Sequence, residues 1–375
     1  LFITEWYPTA AQPVAGIFVR EHAKSVAIYD DVVVLHPMAK DPALPEARRL
    51  VRDTDEMLTA GLSTYRLQRR PARMPGFSSV GYIQGVVASA RQLMANGFRP
   101  DIIHAHIYEA GMPAVIFGAR EHIPVVITEH ASAFFRHQLP PWQLWKARFA
   151  FERANRVLPV SRALQNDIEA YDIRARFTIV PNAVDTTLFH PPVQPARAPG
   201  PLRLLFVGTL IPLKGLDYLL RALAQMQRRR EEWQLDVIGD GPQRTAYELL
   251  AGELSVAQHV TFHGFKSKLE VAELMRRADL FVLASLHETF SVVCVEALAS
   301  GLPVVATRCG GPEDFVDETV GRLVPPGDSE ALARTLSEML EDLPRFVPAR
   351  LAQYAAERFS YERIGLQLDS IYREM

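Results

Sequence analysis

Short runs of β-branched and aromatic residues recur along the chain, each followed by a stretch whose apolar positions return every three or four residues. In the first half, residues 2–4, 32–35, 101–104, 125–128, 157–160 and 178–180 read as strands. Residues 19–29, 84–96, 109–121 and 144–155 read as helices. The strands are apolar almost without a break, so both their faces are expected to be covered, as in a parallel sheet with helices on either side. The proline-rich segment HPPVQPARAPGP has no periodicity and reads as a stiff linker. The pattern then restarts, with strands at 202–207, 234–238, 259–262, 280–283 and 303–306. Helices follow at 216–228, 243–253, 268–277, 292–299 and 328–341. The expected fold is α/β, with two doubly wound Rossmann-like domains at 1–190 and 202–357, joined by a linker at 191–201. Two such domains facing a cleft would bind a small ligand at the carboxyl ends of their strands.

A chain of 375 residues is too long for one ordinary core, which agrees with two domains. Hydrophobic residues make up 48% and charged residues 22%, which excludes a disordered, collagen-like or coiled-coil chain. The net charge of −2 gives no ground for a nucleic-acid partner. Cys294 and Cys309, the two cysteines, read as reduced thiols of a cytoplasmic protein. The longest apolar-rich stretch, 291–307, is interrupted by Glu296 and Pro303, so no membrane span is expected. The opening LFIT reads as a strand and not as a signal peptide, and the absent initiator methionine implies a few missing residues.

The candidate chemistry collects in loops that follow strands. Glu288 and Glu296 stand eight positions apart, the first in a loop and the second inside a helix that starts near Ser291. The Ser291 hydroxyl is expected to cap that helix, whose free N–H groups would make an anion site. Glu296 is either a solvent-facing residue or a buried carboxylate with a partner, since its helix is apolar almost all round. In VGTLIPLKG, Gly208 would let a ligand approach the backbone, and Lys214 is either solvated or set against a diphosphate. The glycine turns at Gly239-Asp240-Gly241 and Gly310-Gly311 would crowd the same sheet edge. In the first half, Gly16 lies in the turn after the first strand, and His104-Ala105-His106 and Thr128-Glu129-His130 end two others. The HxH pair reads as polar cleft lining, the lesser reading being a metal, because no carboxylate ligand has a suitable spacing. His130 is either a substrate contact or a hydrogen-bonded structural residue.

These residues carry a likeness. The chain resembles the retaining GT-B glycosyltransferases of family 4 in the spacing of Glu288 and Glu296, in EALASGLPVVATRCGGPEDFV, GRLVPPGD, VGTLIPLKG, VIGDGP, VTFHGF and VPNAVDTTLF, and more loosely in PDIIHAH, PVVITEH and VLPVSRAL. The resemblance covers essentially the whole chain. It implies that Glu296 holds the ribose hydroxyls, Glu288 the donor sugar, and Lys214 the diphosphate. It implies donor contacts through the backbone of Phe290, Ser291 and Val292, a base held at Gly264 and Phe265, and contacts from His130 and Gly16 near the donor sugar. It further implies that a last helix, about 358–375, crosses back onto the first domain. Two positions depart from the family. Thr209 stands where an arginine usually follows Gly208, and Ser291 stands where glycine is common.

The expected activity is transfer of a sugar from a nucleoside diphosphate sugar to a hydroxyl acceptor, with no metal or other cofactor, in polysaccharide or glycoconjugate synthesis. A nucleotide-sugar epimerase and a non-catalytic binding subunit are the alternatives. A dinucleotide dehydrogenase is disfavoured, because neither domain has GxGxxG after its first strand. Phe134, Phe135, Trp142 and Trp145 lie among Arg136, Lys146, Arg148, Arg153 and Arg156, and Arg66, Arg69, Arg70 and Arg73 lie upstream. Aromatic and basic residues together suit the inner face of an anionic membrane and a lipid-linked acceptor; the other reading is aromatics packed inside and arginines solvated.

Overall fold

In a computed structural model, residues 1–71, 78–192, 200–228 and 232–375 are described. Most of the expected linker, at 193–199, and Arg73 lie outside them. The chain divides into two units, residues 1–183 with 361–375 and residues 184–360.

The first unit is built on seven strands: β1 (Phe2–Thr4), β2 (Val33–Lys40), β3 (Arg48–Asp53), β4 (Ser63–Arg69), β5 (Ile103–His106), β6 (Val125–Glu129) and β7 (Arg156–Pro159). Their order is β3-β4-β2-β1-β5-β6-β7. All neighbours run parallel except the edge pair β3 and β4. Every residue of β1, β5 and β6 is buried, the polar Thr4, His104, His106, Thr128 and Glu129 included. The helix Tyr361–Arg373 packs on the helix Ile17–Val26 and shares its core, with Ile364, Leu368 and Ile371 against Val19, Ala23 and Val26.

Two expectations fail in this unit. β3 and β4 have no counterpart in the sequence reading, because RRLVRD and STYRLQR interleave charges with apolar residues. Arg48, Arg49 and Arg52 stay exposed on this edge, whereas Arg66 is buried and meets Asp53 at 2.6 Å. Residues 178–180 do not form a strand. Thr178 and Val180 donate to the carbonyls of Val157 and Pro159 at 3.0 and 3.1 Å, but Pro159 has no N–H to return, and only an isolated bridge at Phe177 results.

The second unit holds β8 (Leu202–Val207), β9 (Trp233–Ile238), β10 (Val260–Gly264), β11 (Leu280–Leu283), β12 (Val304–Thr307) and β13 (Gly321–Val324). This sheet is parallel throughout, in the order β10-β9-β8-β11-β12-β13. Connections leave β8 toward one side and β11 toward the other. The crevice outside the carboxyl ends of β8 and β11 is therefore the switch point where open α/β sheets take ligands. In the first unit the equivalent position lies between β1 and β5.

Candidate active site

The loop after β8 and the loop after β11 meet at the switch point. Lys214 closes a short turn, Pro212–Lys214, and Gly215 continues it at φ +65°. The Leu286 N–H donates to the Leu213 carbonyl at 2.8 Å, which ties one loop to the other. The Lys214 ammonium then donates to Glu288 Oε1 at 2.6 Å, and the Ser285 hydroxyl donates to the same oxygen at 2.7 Å. The Glu288 backbone is pinned as well. Its N–H donates to the Cys309 carbonyl and its carbonyl accepts from Gly311 N–H, at 2.8 and 2.9 Å. A Cβ on Gly311 would stand 2.3 Å from the Phe290 backbone, so only glycine lets this strand end approach. Gly208 differs: a Cβ there would meet nothing nearer than 3.6 Å, and internal packing does not require the glycine.

The helix Val292–Ala299 follows. Glu296 is only 8% exposed and lies 3.6 Å from Lys268 Nζ, so it is not a solvent-facing residue; the partner its burial calls for comes from another helix. Phe290 packs its ring against Phe315 and Phe359, with centroids 5.4 and 5.8 Å away. The expected Ser291 cap is absent. Ser291 sits at φ +80°, a left-handed conformation, and makes no side-chain bond to the helix N–H groups, because that backbone turns the hydroxyl away from them. Relieving the strain with Ser291→Gly is expected to stabilise the chain by about 0.5–1 kcal/mol, after the greater freedom of glycine in the unfolded chain is subtracted. A raised denaturant midpoint with unchanged slope would register it. Thr209 is exposed beside this site. Among the described residues, Glu288 is paired with Lys214 and not with an arginine. Gly264 ends β10 at φ +69°, and the ring of Phe265 after it is 64% exposed. Cys294 and Cys309 are buried free thiols. Burial pushes both up, Cys309 to about 12, so neither offers a thiolate nucleophile near neutral pH.

In the first unit, Gly16 caps the helix Ile17–Val26 at φ +63°, where a Cβ would collide with the Trp6 carbonyl group. The histidines do not line a cleft. His104 and His106 are buried and stacked 4.4 Å apart. The β5 strand that carries them is covered on both faces. His104 bonds to Thr128 Oγ1 and Tyr372 Oη, and His106 Nδ1 shares a hydrogen bond of 3.0 Å with His130 Nε2. His22 completes a trio with His106 and His130, one ring nitrogen from each lying within 4.8 Å of the others. Among the described residues this is the group best arranged to hold a metal ion. Burial holds all three histidines well toward the neutral form, which excludes a cationic role for His130 at neutral pH. Glu129 organises the turn beside them. Its oxygens accept from the N–H groups of Tyr108, His130 and Ala131 at 2.9, 2.9 and 2.7 Å, and burial raises its carboxyl to about 8.

Comparison with known proteins gives this geometry a family. Residues 192–358 match the family model of glycosyl transferases group 1, and residues 19–188 match that of glycosyltransferase family 4. A D-inositol 3-phosphate glycosyltransferase from Corynebacterium urealyticum is 31% identical over 77% of this chain and 74% of its own length. The chain belongs to glycosyltransferase family 4. A glycogen synthase from Mycobacterium tuberculosis is 26% identical over 91% of the chain and 86% of its own length. In fold, the glycosyltransferase is similar to HepE from Anabaena, solved with UDP, at a TM-score of 0.76 and 22% identity over 100% of this chain and 99% of that one. It is also similar to a sucrose-phosphate synthase from Thermosynechococcus elongatus, at 0.75 and 21% over 100% and 98%. The two parallel-sheet units and the GT-B architecture are thus those of a glycosyltransferase.

Of the residues singled out from sequence in this glycosyltransferase, Gly208, Thr209, Lys214, Glu288, Phe290 and Ser291 gather on the loops after β8 and β11, and Val292 and Glu296 on the helix that follows. Ser285 and Lys268, the partners of the two glutamates, had no sequence signal beyond their residue types. No helix among the described residues is long and apolar enough to cross a membrane. Part of the two basic-aromatic clusters is used internally. Phe134 is buried against Tyr108 and Phe151, Arg70 bonds to the Leu44 carbonyl, and Arg156 pairs with Glu374. Trp142 and Trp145 remain 58% exposed.

Proposed function

We propose that this glycosyltransferase moves a sugar from a nucleoside diphosphate sugar to a hydroxyl acceptor with retention at the anomeric carbon and without a divalent metal. The observation that carries the reading is the contact of Lys214 with Glu288 at the switch point of the second sheet. A cation and a carboxylate held side by side suit a ligand that is anionic at one end and hydroxylated at the other. Lys214 meets the diphosphate and stabilises the charge that grows as the glycosidic bond breaks. Glu288 accepts hydroxyls of the donor sugar, Glu296 accepts those of the ribose, and Phe265 and Gly264 border the base. His130, held neutral, serves as a hydrogen-bonding group, and Gly16 keeps the first loop close to its helix. The departing phosphate takes the acceptor's proton on the face from which it leaves.

A panel of nucleoside diphosphates in thermal denaturation tests donor binding, since a ligand of the native state raises apparent stability. Release of the matching diphosphate from its sugar donor should then require an acceptor, which separates transfer from epimerisation. Excess chelator is expected to leave the rate within about twofold, and strict dependence on an added divalent ion would overturn the metal-free route. The names of the relatives point to acceptors as different as an inositol phosphate and glycogen, so a lipid-linked acceptor is a separate proposal. For it, Trp145 and Lys146 give a weak contact with anionic vesicles. Co-sedimentation is expected at low salt and should decline at physiological salt, each basic residue contributing about 1 kcal/mol. No co-sedimentation at either salt would leave an acceptor reached in solution.

A further inference from the structure

Three histidines from three different elements converge inside the first unit. His22 lies on the helix Ile17–Val26, His106 ends β5, and His130 follows the last residue of β6. All three are buried, and one ring nitrogen from each lies within 4.8 Å of the others. The rings of His106 and His130 are nearly parallel, 15° apart, and that of His22 stands across them at 73° and 64°. The β5 ladder and the packed helix hold these rings in place before any ligand arrives.

Their hydrogen bonds leave lone pairs over. The Pro181 carbonyl can only accept, so it takes the Nε2 proton of His22 at 3.1 Å, and the neutral ring keeps a bare pair on Nδ1. Among the described residues neither His22 Nδ1 nor His106 Nε2 has a hydrogen-bond partner, although both are buried. A histidine whose other nitrogen donates to a backbone carbonyl is oriented as metal-ligating histidines are. His106 Nδ1 and His130 Nε2 face each other at 3.0 Å across one proton, a place that a cation can take instead. Zinc with bonds of about 2.05 Å in a tetrahedron sets its nitrogens roughly 3.3 Å apart. The 3.0 Å of this pair and the 4.8 Å limit of the trio lie on either side of that value, so small side-chain rotations complete the site.

We infer that His22, His106 and His130 form a site for one zinc ion, which displaces the hydrogen bond between His106 and His130 and, once bound, withdraws His130 from the donor. The site stands on the trio alone; the withdrawal rests on the donor contact proposed for His130. The displaced proton moves to the outer nitrogen of its own ring, so the imidazoles bind in their neutral form. A set of nitrogen donors rejects magnesium and calcium, which take oxygen. Zinc has no geometric preference of its own and accepts the one the fold provides. The ion enters past His130, which is 6% exposed and carries the half-buried Phe18 ring against it at 4.5 Å. Zinc is then an inhibitor and not a cofactor, in keeping with the activity expected in excess chelator.

The full chain, freed of metal by dialysis against a chelator, is titrated with Zn²⁺, Co²⁺ and Mg²⁺. Calorimetry is expected to count one zinc per chain, and zinc should raise the thermal midpoint. Co²⁺ should develop the strong visible absorption of a four-coordinate ion, and Mg²⁺ should not bind. His22→Asn and His106→Asn should each weaken zinc about a hundredfold, while His190→Asn, at an exposed histidine of the second unit, leaves it unchanged. His22→Cys guards against a loss of folding: it keeps a ligand, should retain zinc and should add thiolate charge transfer to the Co²⁺ spectrum. One equivalent of zinc should slow sugar transfer at least tenfold. The site is overturned if the wild type binds no zinc, if Co²⁺ keeps the pale spectrum of its six-coordinate aqua ion, or if His22→Asn and His106→Asn, both folded, bind zinc as the wild type does. Bound zinc with an undiminished rate overturns the withdrawal of His130. Failure of every nucleoside diphosphate to bind the metal-free chain would instead strike the donor reading and leave the zinc site standing.

Discussion

Lys214→Ala is expected to lower turnover by about 10²–10³-fold, the range seen when one preorganised stabiliser of developing negative charge is removed. Nucleoside diphosphate affinity should fall about tenfold as well, because a charge-assisted hydrogen bond is lost before any chemistry begins. The alanine has a second effect. Glu288 keeps Ser285 but loses the ammonium now 2.6 Å away, so the carboxylate is left partly buried without a counter-charge. Glu288→Gln separates the two contributions. It leaves Lys214 free for the diphosphate and should lower turnover more than nucleotide affinity. Steady-state rates and calorimetry with the matching diphosphate decide between these patterns. If a folded Lys214→Ala protein keeps both quantities, the phosphate end of the donor binds elsewhere.

Glu296→Ala is expected to weaken nucleotide binding by about 1.5–3 kcal/mol, the worth of hydrogen bonds to a charged acceptor. Glu296→Gln should lose less, since an amide oxygen still accepts from one hydroxyl. Lys268 complicates the alanine variant because it now lies 3.6 Å from the carboxylate and would be left without that partner. Lys268→Ala is therefore the companion measurement. It should alter affinity only modestly if Lys268 orients Glu296 and does not itself hold the ribose. Unchanged nucleotide affinity in a folded Glu296→Ala protein would remove the carboxylate from the ribose.

The sequence showed the two sheets where strands are buried on both faces, because a short unbroken apolar run between turn residues must be covered on every side to escape water. It also showed Lys214, Glu288 and Glu296, because polar residues in or beside such runs stand out. It did not show β3 and β4. Their arginines look solvated in sequence, and only the ladder reveals that Arg66 turns inward to Asp53. His104 and His106 misled for the opposite reason: polar residues at a strand end suggest a cleft, but here they stack inside the first unit. Lys268 and Ser285 were illegible because a contact partner's register depends on how helices and loops pack.

The packing of Tyr361–Arg373 on Ile17–Val26 has a consequence for biosynthesis. The second unit is one continuous stretch, 184–360, and can complete itself as soon as that stretch has left the ribosome. The first unit begins earlier but lacks its closing helix until residues 361–375 are made. During that interval Val19, Ala23 and Val26 have no cover from Ile364, Leu368 and Ile371. A chain truncated after residue 360 would therefore display an apolar stripe on the first unit, a surface that chaperones recognise, although the second unit has its whole sequence.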